Sequence, residues 1–340
     1  MSSAKRTRVL DYVEPIGKVL QLKKGADEKD TYGVEIENEF KYASFSDFRA
    51  PKHWKLVEDH SLRYCGVEFV SIPQEKRALY QSLDNLEKYI GSKNDTPLNS
   101  IRTSVHVHTN VAWMNFQQIV TFACTYWLLE DFLSEFTGKT RKGNLFCLRL
   151  KDADVVSDLI EDALKRKSFL VGSPIFSDQY RYASVNFAAI KKFGTLEFRL
   201  LRGTFDCDAI KSWTNAIAAI KEFSLRFSNL GELRDYFLYD VDASSFPKRV
   251  LGDTLYKTFK KCNTEPDAVL VRKGYESVEN LFYCTDNFDF LAVAKREEEE
   301  RRKRLLNYNR AILSTSYDEF EDFAIFYEDS VFENSYGEDI

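Results

Sequence analysis

Cysteine is sparse in this chain, and its placement excludes two common kinds of scaffold. The six cysteines are scattered along the sequence, and no CxxC pair occurs. A zinc ribbon or a disulfide framework needs paired or regularly spaced cysteines. We therefore expect reduced thiols, as in a cytoplasmic protein.

Long apolar runs and a surplus of basic residues are also missing. The most apolar stretch, residues 119–129, is too short to span a bilayer and predicts a buried helix instead. The first ten residues lack the apolar segment of a secretory signal. The net charge of −5 gives no basic surface for nucleic acid. These features predict a protein in the cytoplasm that binds neither membrane nor nucleic acid.

The common phosphate-binding loops are absent as well. No GxGxxG fingerprint occurs. The tripeptide at 138–140 (GKT) has the ending of a P-loop, but Leu133 stands where the first glycine is required, and a helical pattern precedes it. Any nucleotide site must therefore be built in another way.

Four segments alternate polar and apolar residues with the period of a β-strand. They cover residues 34–40, 65–71, 103–110 and 195–202. In a strand, residues i and i+2 point to the same side. The pairs that share a polar face are Glu35 with Glu37, His106 with His108, and Glu197 with Arg199. The pattern predicts a sheet that is apolar on one side and densely ionic on the other.

Helical patterns fill the intervals between these segments. Periodicity and end signals predict helices over residues 75–91, 115–136, 152–167 and 206–227. Long helices between half-polar strands are typical of an α+β fold. We expect a mostly antiparallel sheet with helices on one face.

The composition divides the chain into four parts. These are a polar lead-in at 1–30, a functional core at 31–228, a helical extension at 229–310 and an acidic, flexible tail at 311–340. A charge run at 295–306 predicts a solvated helix. The tail has acids and aromatics but no lysine or arginine, so a basic partner surface is an alternative to flexibility.

The acidic residues of the first two strands suit a metal site. Mg²⁺ is usually held by one or two carboxylates together with substrate phosphates. Glu35 and Glu37 share a face, and Glu68 of a later strand can join them. The alternative is a solvent-exposed strand face, which is the ordinary pattern of antiparallel sheets.

The histidines and arginines keep several interpretations open. His106 and His108 can bind a metal or a phosphate, pair with a carboxylate, or be structural; zinc would need further ligands that the spacing does not supply. Arg199 suits bidentate contact with phosphate, or a cross-strand salt bridge. Arg181 and Asn186 allow the same two interpretations.

The order of these runs resembles a known family. GVEIE, DHSLRYCGVEFVS, HVHTN, RYASVNF and TLEFRLLR follow one another as in the phage-associated putative amidoligases. That family belongs with glutamine synthetase and glutamate–cysteine ligase among the carboxylate–amine ligases. The resemblance covers residues 31–215. It implies a curved, glutamine synthetase-like sheet whose polar face is the active site.

The resemblance also implies roles for individual residues. It places a metal, Mg²⁺ or Mn²⁺, on Glu35, Glu37, Glu68 and Glu197. It gives catalytic roles to Glu68, Arg199 and His108, and it gives contacts with ATP to His106, Arg181, Asn186, Arg199 and Arg202. Asp59 and Ser61 would line the loop ahead of Glu68. The family often has a glycine before the histidine pair, where this chain has Ser104.

The implied function is an ATP- and Mg²⁺-dependent ligase that joins a carboxylate to an amine through an acyl phosphate. The substrates would be small molecules or a protein side chain, in the cytoplasm, or in the host cytoplasm if the gene is phage-borne. One alternative is a non-catalytic binding or structural protein that keeps the scaffold. Another is a phosphotransferase on the same fold. The sequence makes no prediction of oligomeric state.

Overall fold

The computed structural model describes residues 9–10, 14–22, 30–166, 169–170, 173–285, 302–303 and 305–306. The strands are β1 Val9–Leu10, β2 Thr31–Phe40, β3 Trp54–Glu58, β4 Cys65–Ser71, β5 Gln74–Glu75, β6 Pro97–Leu98, β7 Ser104–Asn110, β8 Phe169–Leu170, β9 Val185–Asn186 and β10 Thr195–Arg202. The helices are α1 Ile16–Val19, α2 Lys76–Gly91, α3 Phe116–Thr137, α4 Asp154–Arg166, α5 Ala188–Phe193, α6 Cys207–Ser224, α7 Leu230–Asp235, α8 Phe246–Lys260 and α9 Asp267–Tyr283. A π-helical turn, Tyr236–Asp240, follows α7.

The main sheet is open and antiparallel. Its strand order is β3-β4-β2-β7-β10-β9, and β5 and β6 pair with β2. The four segments with alternating polarity are β4, β2, β7 and β10, which are consecutive in this order. The predicted mixture of helices and a mostly antiparallel sheet is confirmed.

The register determines which side chains share a face. Glu37 pairs with Glu68 across β2 and β4, and Glu35 pairs with His106 across β2 and β7. His108 pairs with Glu197 across β7 and β10. Directly paired residues project to the same side of a sheet. The ionic residues of all four strands therefore lie on one side.

The opposite side of the sheet is fully buried. Val34, Ile36, Val105 and Val107 are each 0% exposed. Phe198 of β10 packs against α3, where the ring centroids of Phe122 and Phe198 are 5.3 Å apart. Burial of these apolar side chains determines which side of the sheet faces the core, so the ionic side faces away from it.

Capping explains why the longest helix begins and ends where it does. The Asn115 side chain accepts from the Gln118 backbone N–H, and the Gln118 side chain accepts from the Asn115 N–H. This reciprocal pair is a capping box. Gly138 ends the helix with φ of 100°, a conformation that favours glycine.

Helices α8 and α9 pack against α3. Phe259 of α8 lies 4.4 Å from Phe136, measured between ring centroids. Gly274 of α9 meets α3 so closely that a Cβ there would lie 2.4 Å from the Leu128 carbonyl oxygen. Both helices belong to a compact unit, Met1–Phe288.

A second unit comprises Asp289–Ile340. Within it, residues 302–303 and 305–306 are helical, and the rest of the predicted solvated helix at 295–306 lies outside the described residues. The same holds for the tail at 311–340 and for most of the lead-in at 1–30. The part boundaries at 30, 228 and 310 stay predictions. Among the described helices, none combines the length and the apolar character needed to cross a membrane.

Candidate active site

Eight side chains form the ionic side of the sheet, which is called the polar face below. They are Glu35, Glu37, Glu68, Ser104, His106, His108, Glu197 and Arg199. They come from the four central strands, so a single rigid surface positions them. The convergence that the sequence predicts is present in the structure.

His106 lies at the centre of the polar face. Its Nδ1 atom is 3.2 Å from a carboxylate oxygen of Glu35 and 3.2 Å from one of Glu197. Its Nε2 atom is 2.7 Å from the Ser104 hydroxyl oxygen. The ring is only 1% exposed, and both of its nitrogens face oxygen atoms. His106 therefore links strands β2, β7 and β10 through polar contacts.

His108 has a different environment. Its Nδ1 atom is 2.9 Å from the Thr195 hydroxyl. Its Nε2 atom is buried and makes no aligned hydrogen bond, although it lies 3.3 Å from a Glu35 oxygen. One ligand atom each from Glu35, His108 and Glu197 lie within 4.8 Å of one another. An unbonded imidazole nitrogen beside two carboxylates fits a divalent cation.

The charges of these three residues affect one another's pKa values. Burial opposes ionisation of Glu35, but His108 and His106 outweigh it and hold the pKa of this carboxyl well below its usual range. Burial likewise opposes ionisation of Glu197, and the adjacent Arg199 outweighs it and lowers the pKa. Burial disfavours the charged form of His108, yet Glu35 raises its pKa. Both carboxylates are therefore charged at neutral pH.

Arg199 is held in a bulge of β10. The register with β7 shifts between Phe198 and Leu201. The Arg199 N–H donates to the Ser184 carbonyl at 2.9 Å, and its own carbonyl accepts from the Arg141 guanidinium at 2.7 Å. Its side chain pairs with Glu197. The cation is therefore fixed through its backbone as well as its head group.

Glu37 and Glu68 form the other end of the polar face. The Ser104 hydroxyl donates to Glu37. Burial, followed by the charges of Glu35 and Glu37, raises the pKa of Glu68 to about 8. A carboxyl group with such a pKa is protonated at neutral pH unless a cation joins it.

The loop at 59–64 closes this end. Its Ser61 N–H donates to the Asp59 carboxylate at 2.8 Å, and its Arg63 N–H donates to the Glu39 carboxylate at 2.9 Å. A Cβ on Gly66 would lie 2.3 Å from the Asp59 carbonyl oxygen, so the loop rests directly on β4. The predicted loop residues thus border Glu68.

A pocket opens at the opposite end, beside α5. Its lining includes Glu35, His108 and Glu197 from the polar face, together with Arg199. Asn186 also lines it, and its side-chain amide donates to Glu197 at 2.6 Å. Arg181 lies at the rim.

Among the predicted site residues, Arg202 is the one whose guanidinium lies away from the polar face and the pocket. Its guanidinium donates to the Phe136 carbonyl at 3.1 Å, at the end of α3. Its predicted contact with ATP has no support from this placement.

Several polar residues of this surface are not predicted as site residues from the sequence. Ser104 precedes His106 by two residues, so strand alternation alone places it on the polar face. Glu39 follows Glu37 by the same rule, but it is 1% exposed because the loop covers it. Asp178 and Lys192, which also line the pocket, lie on short elements that leave no periodic signal.

Fold and site together define a protein with an open antiparallel sheet that carries an acid-rich cleft. A family model described as "Putative amidoligase enzyme" matches residues 13–221, which is more than half of the chain. The chain belongs to this family. A search of curated proteins finds no match.

Proposed function

We propose that the protein is an ATP- and Mg²⁺-dependent carboxylate–amine ligase with a glutamine synthetase-like active site. Membership of the amidoligase family supports the ligase class. The proposed dependence on ATP and Mg²⁺ rests on the cluster of Glu35, His108 and Glu197. Their ligand atoms lie within 4.8 Å of one another, beside Arg199. Cation-binding carboxylates and a fixed guanidinium can together position and neutralise the charge that develops in phosphoryl transfer.

In the proposed reaction, a substrate carboxylate oxygen attacks the γ-phosphorus of ATP, and the bond to ADP breaks. The amine nitrogen then attacks the acyl carbon of the resulting acyl phosphate. Inorganic phosphate leaves with the bonding electrons, and the nitrogen loses a proton as the amide forms. Each step moves negative charge between oxygens, so electrostatic positioning matters more than a protein nucleophile.

The chain's own residues have distinct tasks in this scheme. Glu35, Glu197 and His108 would hold Mg²⁺ or Mn²⁺, which would neutralise phosphate charge. Arg199 lies beside them and is suited to a transferring phosphoryl group, because its backbone anchors limit its movement. Glu68, when deprotonated, is positioned on the same face to accept the proton of the amine.

Hydroxamate formation tests this proposal. The protein is incubated with ATP, Mg²⁺, hydroxylamine and a panel of carboxylic acids, and hydroxamate and ADP are measured. We expect both products together with at least one acid. Glu35→Gln should lower the rate by about 100-fold or more, because it removes a charge from the cation site.

Glu58→Gln is the matched control, since Glu58 is an exposed glutamate on β3 of the same sheet. Its rate should stay within about twofold of the wild type. Carboxylate-dependent phosphorylation without hydroxamate would instead identify a phosphotransferase. An absence of ATP binding in the wild type, unchanged in Glu35→Gln, would identify a non-catalytic scaffold.

A further inference from the structure

The pocket beside α5 is small. It is lined by the site residues named above together with Asp178, Arg181, Ala189, Lys192 and Phe193, and its volume is about 150 Å³. A cavity of that volume holds a group the size of benzene. Pockets for drug-sized ligands measure roughly 300–1,000 Å³. The enclosed part of this pocket is therefore of a size that suits a small organic acid or amino acid better than a whole nucleoside triphosphate.

The charges within this pocket are almost all paired with one another. Glu197 pairs with Arg199. At the rim, the Lys192 ammonium lies 2.6 Å from an Asp178 oxygen. Glu35 contacts both histidines of the polar face. At the floor of the pocket, these are the residues that the proposed function assigns to the cation and the phosphoryl group; at the rim, Lys192 and Asp178 neutralise each other.

Arg181 is the exception. Its guanidinium donates to the Tyr182 hydroxyl at 2.8 Å and lies 4.9 Å from the centroid of the same ring. It forms no ion pair with a carboxylate in the part of the chain that the structure describes, although it adds to the effect of Lys192 in lowering the pKa of Asp178. An arginine that stacks on a ring keeps its planar N–H groups available for a carboxylate.

The remaining wall is apolar. Ala189 and Phe193 of α5 also line the pocket, and the Phe193 ring centroid lies 5.9 Å from that of His108. A short carbon chain can pack there while a charged end reaches the rim.

We propose that this pocket is the subsite for a small substrate that carries a carboxylate group, and that Arg181 binds this carboxylate. The assignment rests on the proposed function, because it names the class of one ligase substrate. In this assignment Arg181 binds the substrate carboxylate, whereas the family resemblance implies a contact with ATP.

Calorimetric titration tests the assignment without turnover. The full-length protein is titrated with propionate, L-alanine, propylamine and MgATP. We expect propionate, L-alanine or both to bind, and propylamine, which lacks the carboxylate, not to bind. In Arg181→Gln, the dissociation constant of the bound acid should rise by about tenfold, as expected for the loss of a charge-assisted contact.

MgATP affinity should stay within about twofold of wild type in the same variant, because Arg181 does not contact the nucleotide in this assignment. Arg77→Gln, which changes an exposed arginine on α2, serves as the control and should leave all affinities unchanged. Weaker MgATP binding with unchanged acid binding in Arg181→Gln would overturn the assignment. So would the failure of every acid to bind, or tighter binding of propylamine than of propionate.

The subsite and the ligase proposal can fail separately. Acid binding that depends on Arg181, in a protein that forms no hydroxamate, retains the subsite and rejects the ligase. Hydroxamate formation with an unchanged KM for the acid in Arg181→Gln retains the ligase and rejects the subsite.

Discussion

Glu68 makes the stability of the metal-free protein depend on pH. Burial and the charges of Glu35 and Glu37 raise its pKa to about 8, whereas an unfolded chain has a value of about 4.3. The folded state therefore favours the protonated form. This contribution to the free energy of unfolding is fully present below about pH 4 and is lost as the pH rises towards 8.

We expect the melting temperature in EDTA to fall between about pH 5 and pH 8.5, and to fall less in Glu68→Gln. Differential scanning fluorimetry at several pH values measures both slopes. Burial disfavours the charged form of His108, but Glu35 outweighs burial and raises its pKa, so both proteins share a contribution from this residue and the difference between their slopes is the informative quantity. Parallel slopes would show that Glu68 ionises normally.

Arg141 is expected to matter although it lies outside the polar face. It is 1% exposed and donates to the carbonyls of Arg199 and Thr103, at 2.7 and 3.4 Å. Burial lowers its pKa. Arg141→Met should reduce the free energy of unfolding by about 1–3 kcal/mol, because two buried carbonyls lose their donor.

Urea denaturation measures that loss, and MgATP titration tests its effect on Arg199. We expect weaker MgATP binding in Arg141→Met and partial recovery in Arg141→Lys, which keeps a donor. Equal affinities in all three proteins would show that the bulge does not depend on Arg141.

At the scale of elements, Gly66 determines how the loop at 59–64 rests on β4. A Cβ there would lie 2.3 Å from the Asp59 carbonyl oxygen and 2.6 Å from the Leu62 Cβ atom. Gly66→Ala must therefore displace the loop, and we expect a loss of about 1–3 kcal/mol in the free energy of unfolding. Chemical denaturation provides the measurement.

Gly91→Ala is the comparison for that substitution. Gly91 is the last residue of α2, and a Cβ there would meet no atom of another element within 4 Å. Alanine at this position should be neutral or stabilising. Similar losses in both variants would show that the close contact between Gly66 and the loop does not explain the effect.

Local signals predict the helices well and the sheet less completely. The capping pair of Asn115 and Gln118 can be read from the sequence, and the predicted 115–136 agrees with Phe116–Thr137. The edge strand Trp54–Glu58 lacks the contrast of polarity that marks the central strands, so its own residues do not reveal it. Such a strand is determined by its partner, β4.

The bulge in β10 is also not predicted by the sequence of that strand. Strict alternation from Glu197 would place Arg202 on the apolar side. The register shift instead pairs Arg202 with Ser104, on the side of the polar face. The shift is determined by pairing between strands that lie far apart in the sequence, so the local pattern of polar and apolar residues does not predict it.

At the scale of the molecule, the helices beyond residue 228 are part of the core. Phe132 stacks on Tyr256 at 6.0 Å, and Phe136 lies 4.4 Å from Phe259, both between ring centroids. We expect a chain that ends at residue 228 to expose these rings, bind a hydrophobic dye and lose cooperative unfolding. Dye fluorescence and near-UV circular dichroism measure both effects.

A chain that ends at residue 285 is the control, because it keeps α8 and α9. It should unfold cooperatively and bind little dye. Cooperative unfolding of the shorter chain would instead establish residue 228 as a true domain boundary.

The strand order has a consequence for synthesis on the ribosome. β7 pairs with β2 on one side and β10 on the other, and Arg199 contacts His106 across a separation of 93 residues. While β10 is still untranslated, a newly made β2–β7 pair presents an open edge and carries Glu35 without Arg199 nearby. Open edges invite pairing with other chains. Because Glu35 and Glu37 of β2 lie next to that edge, we expect their like charges to oppose pairing with another copy until β10 has been made.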